Sequence, residues 1–390
     1  MLRRLRARNA VAAVGVTLRV RRLIPAAILP LMLAACGSKA HLAAASHSSP
    51  SASQPSATVT ATAAATTTPE TASPSPGNPN CRLPVAIDQV GGFVTLPGAA
   101  FTSDPASKLT FDGATNTFRT EASPVLHGPN SGSTLSYDPG HGRWLPVDTT
   151  AVSPDGASYA YAQGIVPPDA QGPIVPSGSH IHVVAIKTGA DRIVYSGQLL
   201  AVVGWRREGI YLTHPCAEGC GEAGGLWLLD PSAGSLQQVV PLPTPNPERV
   251  GAVTWSGLGG GAAWAVTGDP SNPNSPPDRL LRHDLNGGPE EPWFTKAGSQ
   301  MSLLTVAGTQ PIVSVFTASE TDVWLVTGRN QAQLLVATHA SQTNGLLYPT
   351  VARRDANGIW FGSSSGVFLW ANGSINELYS QRASPAGVCS

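Results

Sequence analysis

The chain has 390 residues, with 41 Gly and 35 Pro but only 12% charged residues. This composition contains too many turn-forming residues for a helical protein and too many apolar residues for a chain that is disordered throughout, so it favours an all-β fold. The formal net charge is zero, but seven of the 24 basic residues precede Cys36, and the remainder carries 17 basic against 24 acidic groups. Such an acidic domain excludes a nucleic-acid phosphate backbone as an expected partner.

Residues 1–35 have the pattern of a secretory signal. Arginines precede the apolar run Leu23–Leu33, and Leu-Ala-Ala-Cys ends at Cys36. A basic region, an apolar run shorter than the ~20 residues of a membrane span, and small residues before a cleavage point are typical of this signal. The tetrapeptide closely resembles a bacterial lipobox, which implies lipidation of Cys36 and anchoring to the extracytoplasmic side of the cell membrane. The alternative is an ordinary secretory signal in which Cys36 is incidental.

Residues 36–80 are predicted to be the lipidated cysteine and a disordered tether. The segment consists almost entirely of Ala, Ser, Thr and Pro. It lacks the apolar periodicity that builds a core, and its prolines keep a chain extended. The folded domain is therefore predicted to comprise residues 81–390.

The stretch from Asp148 to Ser196 has the pattern of two hairpins joined by a long loop. Its predicted strands are Asp148–Val152, Tyr159–Ala162, Ile181–Ile186 and Arg192–Tyr195. The tight turn of the second hairpin recurs along the chain at Gly140, Gly189, Gly234, Gly287, Gly328 and Gly373. A repeat of about 40–50 residues with four strands per unit is typical of propeller blades. Six turns predict a six-bladed β-propeller of four-stranded antiparallel blades, and the alternative is a β-sandwich or two stacked sheets.

Two blades carry motifs of known propeller families. Val152-Ser-Pro-Asp-Gly156, followed by an aromatic strand, resembles the WD40-like repeat of TolB-type bacterial propellers. The stretch from Asp355 to Gly362 is similar to the repeats of two-component-regulator propellers and streptogramin lyases. The first resemblance implies a scaffold for protein contacts outside the cytoplasm, and it supplies no catalytic residues to carry over.

Four cysteines follow Cys36, an even number that favours disulfides in an exported chain. Cys81 and Cys389 lie at the two ends of the repeat region, which a closed ring brings together, so they are predicted to pair. Cys216 and Cys220 would then close a small local loop. A metal site that includes His214 is the competing interpretation, but the spacing supplies at most three of the four ligands of structural zinc. We therefore expect no metal and no cofactor.

Long loops are predicted on one face of the propeller, at residues 163–180, 214–225 and 268–278. Long loops on a rigid scaffold are where function concentrates. This face is therefore predicted to bind a protein or a glycan, and the alternative is that the loops are surface insertions without function. The candidate residues on it are His180, His182, His214, Asp269 and Asp278.

No catalytic residue is predicted. His180 and His182 share one strand face as a potential metal or acid/base pair, but histidines at the start of a strand are more often surface residues. Four tryptophans recur at blade positions, where core packing is predicted and a sugar-stacking platform is the alternative: Trp227, Trp264, Trp324 and Trp360. The predicted function is a membrane-anchored binding, sensing or scaffold module. The alternatives are a lyase or hydrolase with its site at the channel mouth, and a purely structural envelope lipoprotein.

Overall fold

The computed structural model of the protein describes residues 79–130, 132, 134–166, 176–215, 224–241, 253–269, 275–339 and 348–390. Spatial contacts divide the chain into one unit that ends at Pro69 and a second from Glu70 to Ser390, and all described residues belong to the second. Apart from two short 3-10 helices, Pro105–Ser107 and Thr149–Ala151, the regular structure of these residues is β-strand. None of their helices has the length and apolarity needed to cross a membrane.

The strands form a seven-bladed propeller. Blade 1 contains β1 (Arg82–Ile87), β2 (Val90–Thr95), β3 (Ala100–Ser103) and the last strand of the chain, β28 (Ser384–Pro385). Blade 2 contains β4 (Leu109–Asp112), β5 (Thr117–Thr120) and β6 (His127–Gly128), and the hairpin of β7 (Ser136–Asp138) and β8 (Arg143–Leu145) follows it. Blade 3 contains β9 (Ser158–Ile165), β10 (Gly178–Ala185) and β11 (Asp191–Gly197).

Blades 4 to 7 are four-stranded antiparallel sheets whose strands pair in chain order. Blade 4 contains β12 (Ala201–Arg206), β13 (Gly209–Thr213), β14 (Leu226–Leu229) and β15 (Leu236–Val240). Blade 5 contains β16 (Thr254–Gly259), β17 (Ala262–Thr267), β18 (Arg279–Asp284) and β19 (Glu291–Thr295). Blade 6 contains β20 (Gln300–Ala307), β21 (Gln310–Phe316), β22 (Glu320–Gly328) and β23 (Gln331–His339). Blade 7 contains β24 (Val351–Asp355), β25 (Gly358–Gly362), β26 (Val367–Ala371) and β27 (Ser374–Tyr379).

The prediction of six blades is wrong, and the packing of the apolar residues shows why seven is correct. Seven separate apolar clusters lie in the described residues, and each joins one blade to the next around the ring. One cluster joins blade 7 to blade 1 through Trp360 and Leu83, and another joins blade 1 to blade 2 through Phe93 and Leu109. The repeat pattern of the sequence did not reveal blade 1, because its innermost strand, β28, comes from the other end of the chain.

The second strands of the regular blades are buried on both faces. In β13 every residue is buried, and in β25 four of the five are. A strand between two neighbouring blades is apolar on both faces, which is why these runs contain bulky residues without alternation. Trp227, Trp264 and Trp360 are buried in the cores between blades, as predicted, whereas Trp324 is half-buried.

The first strand predicted for blade 3 is a 3-10 helix instead. Asp148 caps Thr149–Ala151 by accepting a hydrogen bond from the backbone N–H of Thr150 at 2.9 Å. Only Val152 pairs with the next strand, through a single bridge to Tyr159. The two threonines suggested a strand, but an aspartate that caps its own turn favours a helical start. The following turn is as predicted, with the N–H of Gly156 bonded to the carbonyl of Ser153 at 2.8 Å.

The ring closes through the two ends of the described chain. β28 pairs with β1, and Cys81 and Cys389 form the predicted disulfide with a Cα–Cα distance of 5.7 Å. In blades 4 to 7 a short turn joins the first strand to the second, and in blade 1 this disulfide occupies the corresponding place. The N–H of Cys389 also donates to the carboxylate of Asp355 in blade 7 at 3.0 Å.

The two faces of the ring differ in their connections. We call the face with the short turns, such as residues 206–209 and 230–234, the turn face. The opposite face carries the connections between second and third strands and between blades, such as residues 363–366 and 296–299, and we call it the long-loop face.

Candidate binding sites in the channel and on the long-loop face

The first strands of blades 4 to 7 surround a central cavity of about 1060 Å³. Its wall combines aliphatic side chains such as Val202 and Val306 with the hydroxyl groups of Thr254 and Thr305. Adjacent first strands approach closely, and a Cβ atom on Gly257 would lie 2.8 Å from a methyl carbon of Leu303. The cavity has the volume of a site for a small organic molecule.

One ion pair joins blade 7 to the segment that precedes blade 3, across the wall of the channel. Arg353 in β24 donates to the carboxylate of Asp148 at 2.8 Å, to the hydroxyl of Thr149 at 2.7 Å and to the carbonyl of Pro385 at 2.9 Å. Each of the three nitrogens of the guanidinium group therefore donates a hydrogen bond to the protein. Its role is to hold together the part of the ring in which blades 1 and 2 are irregular.

The charge of Asp148 follows from this contact. Burial alone would raise the pKa of the carboxyl, but the charge of Arg353 and the hydrogen bonds from Thr150 outweigh it, so the pKa lies below its ordinary value. Asp148 is consequently an anion at neutral pH and has no proton to donate. Asp148 therefore cannot act as a general acid in the channel.

A second cavity of about 770 Å³ lies on the turn face and shares part of the channel wall. The β12–β13 turn contributes Arg206, Arg207 and Glu208 to it, and the glycine-rich β16–β17 turn forms the opposite wall. We call this cavity the turn-face recess. Sequence reasoning missed it, because the recess combines turns of two blades that are distant in the chain.

The structure brings two of the five predicted long-loop residues together. Asp269 and Asp278 both contact Arg279, at 2.5 Å to its Nη2 and 3.7 Å to its Nε. Asp278 is 6% exposed and also accepts a hydrogen bond from the N–H of Gly298 at 3.2 Å. These contacts fix the start of β18, so the two carboxylates stabilise the long-loop edge of blade 5.

The predicted histidines do not form one site. His214 lies in blade 4, where its Nδ1 is 3.2 Å from the carbonyl of Pro215. His182 is 8% exposed, and its two ring nitrogens lie 2.9 Å from carboxylate oxygen Oδ1 of Asp191 and from Oε1 of Gln163. His180 is 2.7 Å from the hydroxyl of Ser196.

His182 links two blades instead of facing a ligand. Gln163, its partner, donates from Nε2 to the carbonyl of Thr115 in the segment before β5 at 2.5 Å. On the other side Tyr161 stacks on the imidazole at 4.5 Å and donates to Asp191 at 2.9 Å. Burial and the Asp191 carboxylate raise the pKa of Tyr161, which remains a hydrogen-bond donor. The chain of contacts therefore joins blade 3 to blade 2.

Several predictions concern residues outside the described part of the chain. They are the lipidation predicted for Cys36, the signal and tether predicted before Pro79, and the disulfide predicted between Cys216 and Cys220. The central parts of the three long loops, at residues 167–175, 216–223 and 270–274, are also outside the described part. Among the residues that are described, no group of three or more His, Cys, Asp or Glu side chains is arranged to hold a metal ion.

A stacked aromatic pair, of which Tyr348 is exposed and Phe316 is half-buried, lies on the long-loop face, and sequence reasoning missed it. Phe316 ends β21 and Tyr348 precedes β24, and their rings stack with centroids 5.7 Å apart and planes inclined by 18°. Tyr348 is 59% exposed and has a positive φ of 57°. For a bulky residue this backbone conformation costs about 1–2 kcal/mol. The sequence offered little signal, because a lone aromatic before a strand usually packs in a core.

Comparisons with known proteins bear on the fold alone. No known family and no curated protein match the sequence. Solved structures that resemble the chain include TolB from Acinetobacter baumannii, with 12% identity, a TM-score of 0.37, and coverage of 79% of this chain and 67% of that one. An oligogalacturonate lyase in complex with manganese has 10% identity, a TM-score of 0.43, and coverage of 77% and 85%. A chain of a nidogen/laminin complex has 8% identity, a TM-score of 0.40, and coverage of 78% and 96%.

A β-propeller fold is consistent with these similarities, which include the TolB likeness expected from the Ser-Pro-Asp-Gly turn. The chain spans 50% of the length of a prolyl endopeptidase that it also resembles, at 11% identity and a TM-score of 0.46. A fold does not determine function, so function must be argued from the sites.

Proposed function

We propose that the protein is a lipid-anchored, extracytoplasmic propeller that binds a protein or glycan ligand on its long-loop face. The observation that supports ligand binding is the exposed ring of Tyr348, which stacks on the half-buried ring of Phe316. An aromatic face held in place by a second ring presents a large rigid contact area at little entropic cost, which suits both a sugar ring and an apolar side chain. The positive φ of Tyr348 holds this ring outward at an energetic cost, which favours a functional role.

Location outside the cytoplasm is supported by two independent features. The leader ends in Leu-Ala-Ala-Cys36, and Cys81 and Cys389 are joined by a disulfide. Structural disulfides form and persist in oxidising compartments, so a ring that is closed by one suits an exported protein. An enzyme with its site at the channel mouth is the alternative, and it gains no support from Asp148, whose carboxylate is bound to Arg353.

Substitution of Tyr348 tests the binding surface. We expect Tyr348→Ala to weaken binding about 5- to 30-fold, because an aromatic contact contributes about 1–2 kcal/mol. Binding is measured on a glycan array and by capture of proteins from isolated envelopes, so that each class of ligand has its own readout. The matched control is Phe111→Ala, since Phe111 is 54% exposed and also packs on a neighbouring ring, that of Phe118, in blade 2. Equal losses in the two variants would show that the pair on the long-loop face is not the binding surface.

The anchor requires a separate test. Cys36→Ser is expected to abolish incorporation of a labelled fatty acid and to release the protein from the membrane fraction, while the propeller remains folded. Retention of the label in Cys36→Ser would contradict the proposed lipidation.

A further inference from the structure

The charges that line the channel differ in sign from those of the domain around it. Residues 79–390 contain 16 basic and 23 acidic residues, so the domain is acidic. The described lining of the central cavity and the turn-face recess nevertheless contains four arginines and two carboxylates. These are Arg206, Arg207, Arg353 and Arg354, with Asp148 and Glu208. A quarter of the basic residues therefore line this space, and a low-dielectric cleft concentrates their field.

Three of the four guanidinium groups make no ion pair with a carboxylate among the described residues. Arg353 is the exception, and each of its three nitrogens donates a hydrogen bond, to Asp148, Thr149 and Pro385. By contrast, Arg206 donates to the backbone carbonyl of Leu258, and Arg354 donates to the side-chain oxygen of Gln310 at 3.1 Å. Both partners are neutral.

Arg207 is exposed and has no ion-pair partner among the described residues. Each guanidinium group has five N–H donors, so several donors on Arg206, Arg207 and Arg354 are available to a ligand.

The nearby carboxylates do not neutralise these arginines. Asp155 accepts hydrogen bonds from Ser153 and Ala157 within its own turn, at 2.6 and 3.0 Å. Asp284 is bound by Arg282 at 3.0 Å, and Asp355 is bound by the N–H groups of Asn357 and Cys389. Glu208 is the remaining acidic group of the lining and adjoins Arg207 in the same turn. The lining thus retains net positive charge.

We propose that the turn-face recess and the adjoining channel form a binding site for a small organic anion, held through carboxylate or phosphate oxygens by Arg206, Arg207 and Arg354. Guanidinium groups bind both kinds of oxyanion in a forked geometry. The two cavities, of about 770 and 1060 Å³, have the volume of a small-molecule site. The aliphatic walls at Val306 and Leu258 would contact the carbon skeleton of the ligand.

Isothermal titration calorimetry on the purified protein at low ionic strength tests this site, with citrate, inorganic phosphate and uncharged xylitol as probes. We expect heat of binding with at least one anion and none with xylitol, and the two anions distinguish a carboxylate from a phosphate ligand. Raising the salt concentration should weaken binding, because exposed charges are screened. Absence of binding by both anions would overturn the proposal.

Charge-removing variants assign the binding to the recess and the adjoining channel. The double variant Arg207→Gln, Arg354→Gln is expected to raise the Kd at least tenfold with an unchanged melting temperature, since neither side chain makes an ion pair in the described structure. Arg382→Gln is the control, because Arg382 is exposed in the connection between β27 and β28, away from the turn face. Unchanged binding in the double variant, or an equal loss in the control, would overturn the site. This result is independent of the Tyr348 experiment, which concerns the opposite face.

Discussion

The disulfide between Cys81 and Cys389 is expected to be the largest single contribution to the stability of the ring. The two residues are 308 positions apart, and the chain-entropy model gives an upper limit of roughly 5–6 kcal/mol for closing so long a loop. Native disulfides commonly contribute less than this limit, so we expect the double variant Cys81→Ser, Cys389→Ser to lose about 3–5 kcal/mol of free energy of unfolding.

The structure also predicts which segment is destabilised most when the disulfide is removed. β28 pairs with β1 at two residue pairs, and backbone hydrogen bonds of 2.8 Å from Ala386 to Pro84 and from Arg82 to Ser390 extend that pairing. Each such bond contributes only about 1 kcal/mol net. Without the disulfide the C-terminal segment should therefore open locally before the rest of the ring unfolds.

Guanidinium-chloride unfolding and amide hydrogen exchange measure these two effects. Exchange should accelerate in residues 82–87 and 384–390 while the strands of blades 4 and 5 keep their protection. The control is Cys216→Ser, Cys220→Ser, for which the same model allows at most about 2 kcal/mol because the loop between these positions is short. The reasoning is refuted if the free energy of unfolding of the Cys81, Cys389 variant lies within about 0.5 kcal/mol of the parent's. A non-reducing peptide map that joins Cys81 to Cys216 or Cys220 would also refute it.

Three further predictions concern single side chains. Asp148→Asn should destabilise the fold by about 1–2 kcal/mol, because it leaves the guanidinium of Arg353 without its carboxylate. Since the pKa of Asp148 lies below 3.8, the stability that the ion pair contributes is present above that pH and is lost in acid. Denaturation of the parent and the variant at pH 7 and pH 3 would detect this loss. Burial lowers the pKa of His283 below 6.5, so the stability of the fold should fall as the pH drops below 6.5. His283→Leu should remove this pH dependence, which melting curves at pH 7 and pH 5 would measure. Gly358→Ala should cost about 2–3 kcal/mol by chemical denaturation, because φ is +145° and the new Cβ would lie 2.3 Å from a backbone carbonyl oxygen of β26.

The regular part of the ring could be predicted because its signals are local. A strand that packs between two blades requires bulky residues on both faces, and runs such as Ile210–Leu212 and Ile359–Phe361 have them. Tight turns need glycine at positive φ, which Gly189 and Gly373 adopt at +70° and +79°. Both signals are contained within a few consecutive residues, so the strands and turns can be predicted without knowing how the ring closes.

Blade 1 and the channel could not be predicted in the same way, because they depend on contacts between distant residues. β28 has only two residues, and its role as an innermost strand depends on pairing with β1 at the other end of the domain. In the sequence, Arg353 and Arg354 are two adjacent basic residues of an ordinary strand. Only closure of the ring brings Arg353 into contact with Asp148 and makes Arg354 part of the cavity lining. The aromatic pair likewise joins Phe316 and Tyr348 from two different blades.

The path of the chain separates the two proposed sites. β1 occupies the position of a second strand, which in the regular blades starts at the turn face, so the chain enters the propeller at Cys81 on that face. The contact of Cys389 with Asp355, just before the β24–β25 turn, independently places the disulfide there. The recess with Arg207 thus lies on the same face as Cys81, and Tyr348 lies on the opposite face. The two proposed sites are therefore on opposite faces of the ring, so ligand binding at each can be tested independently of the other.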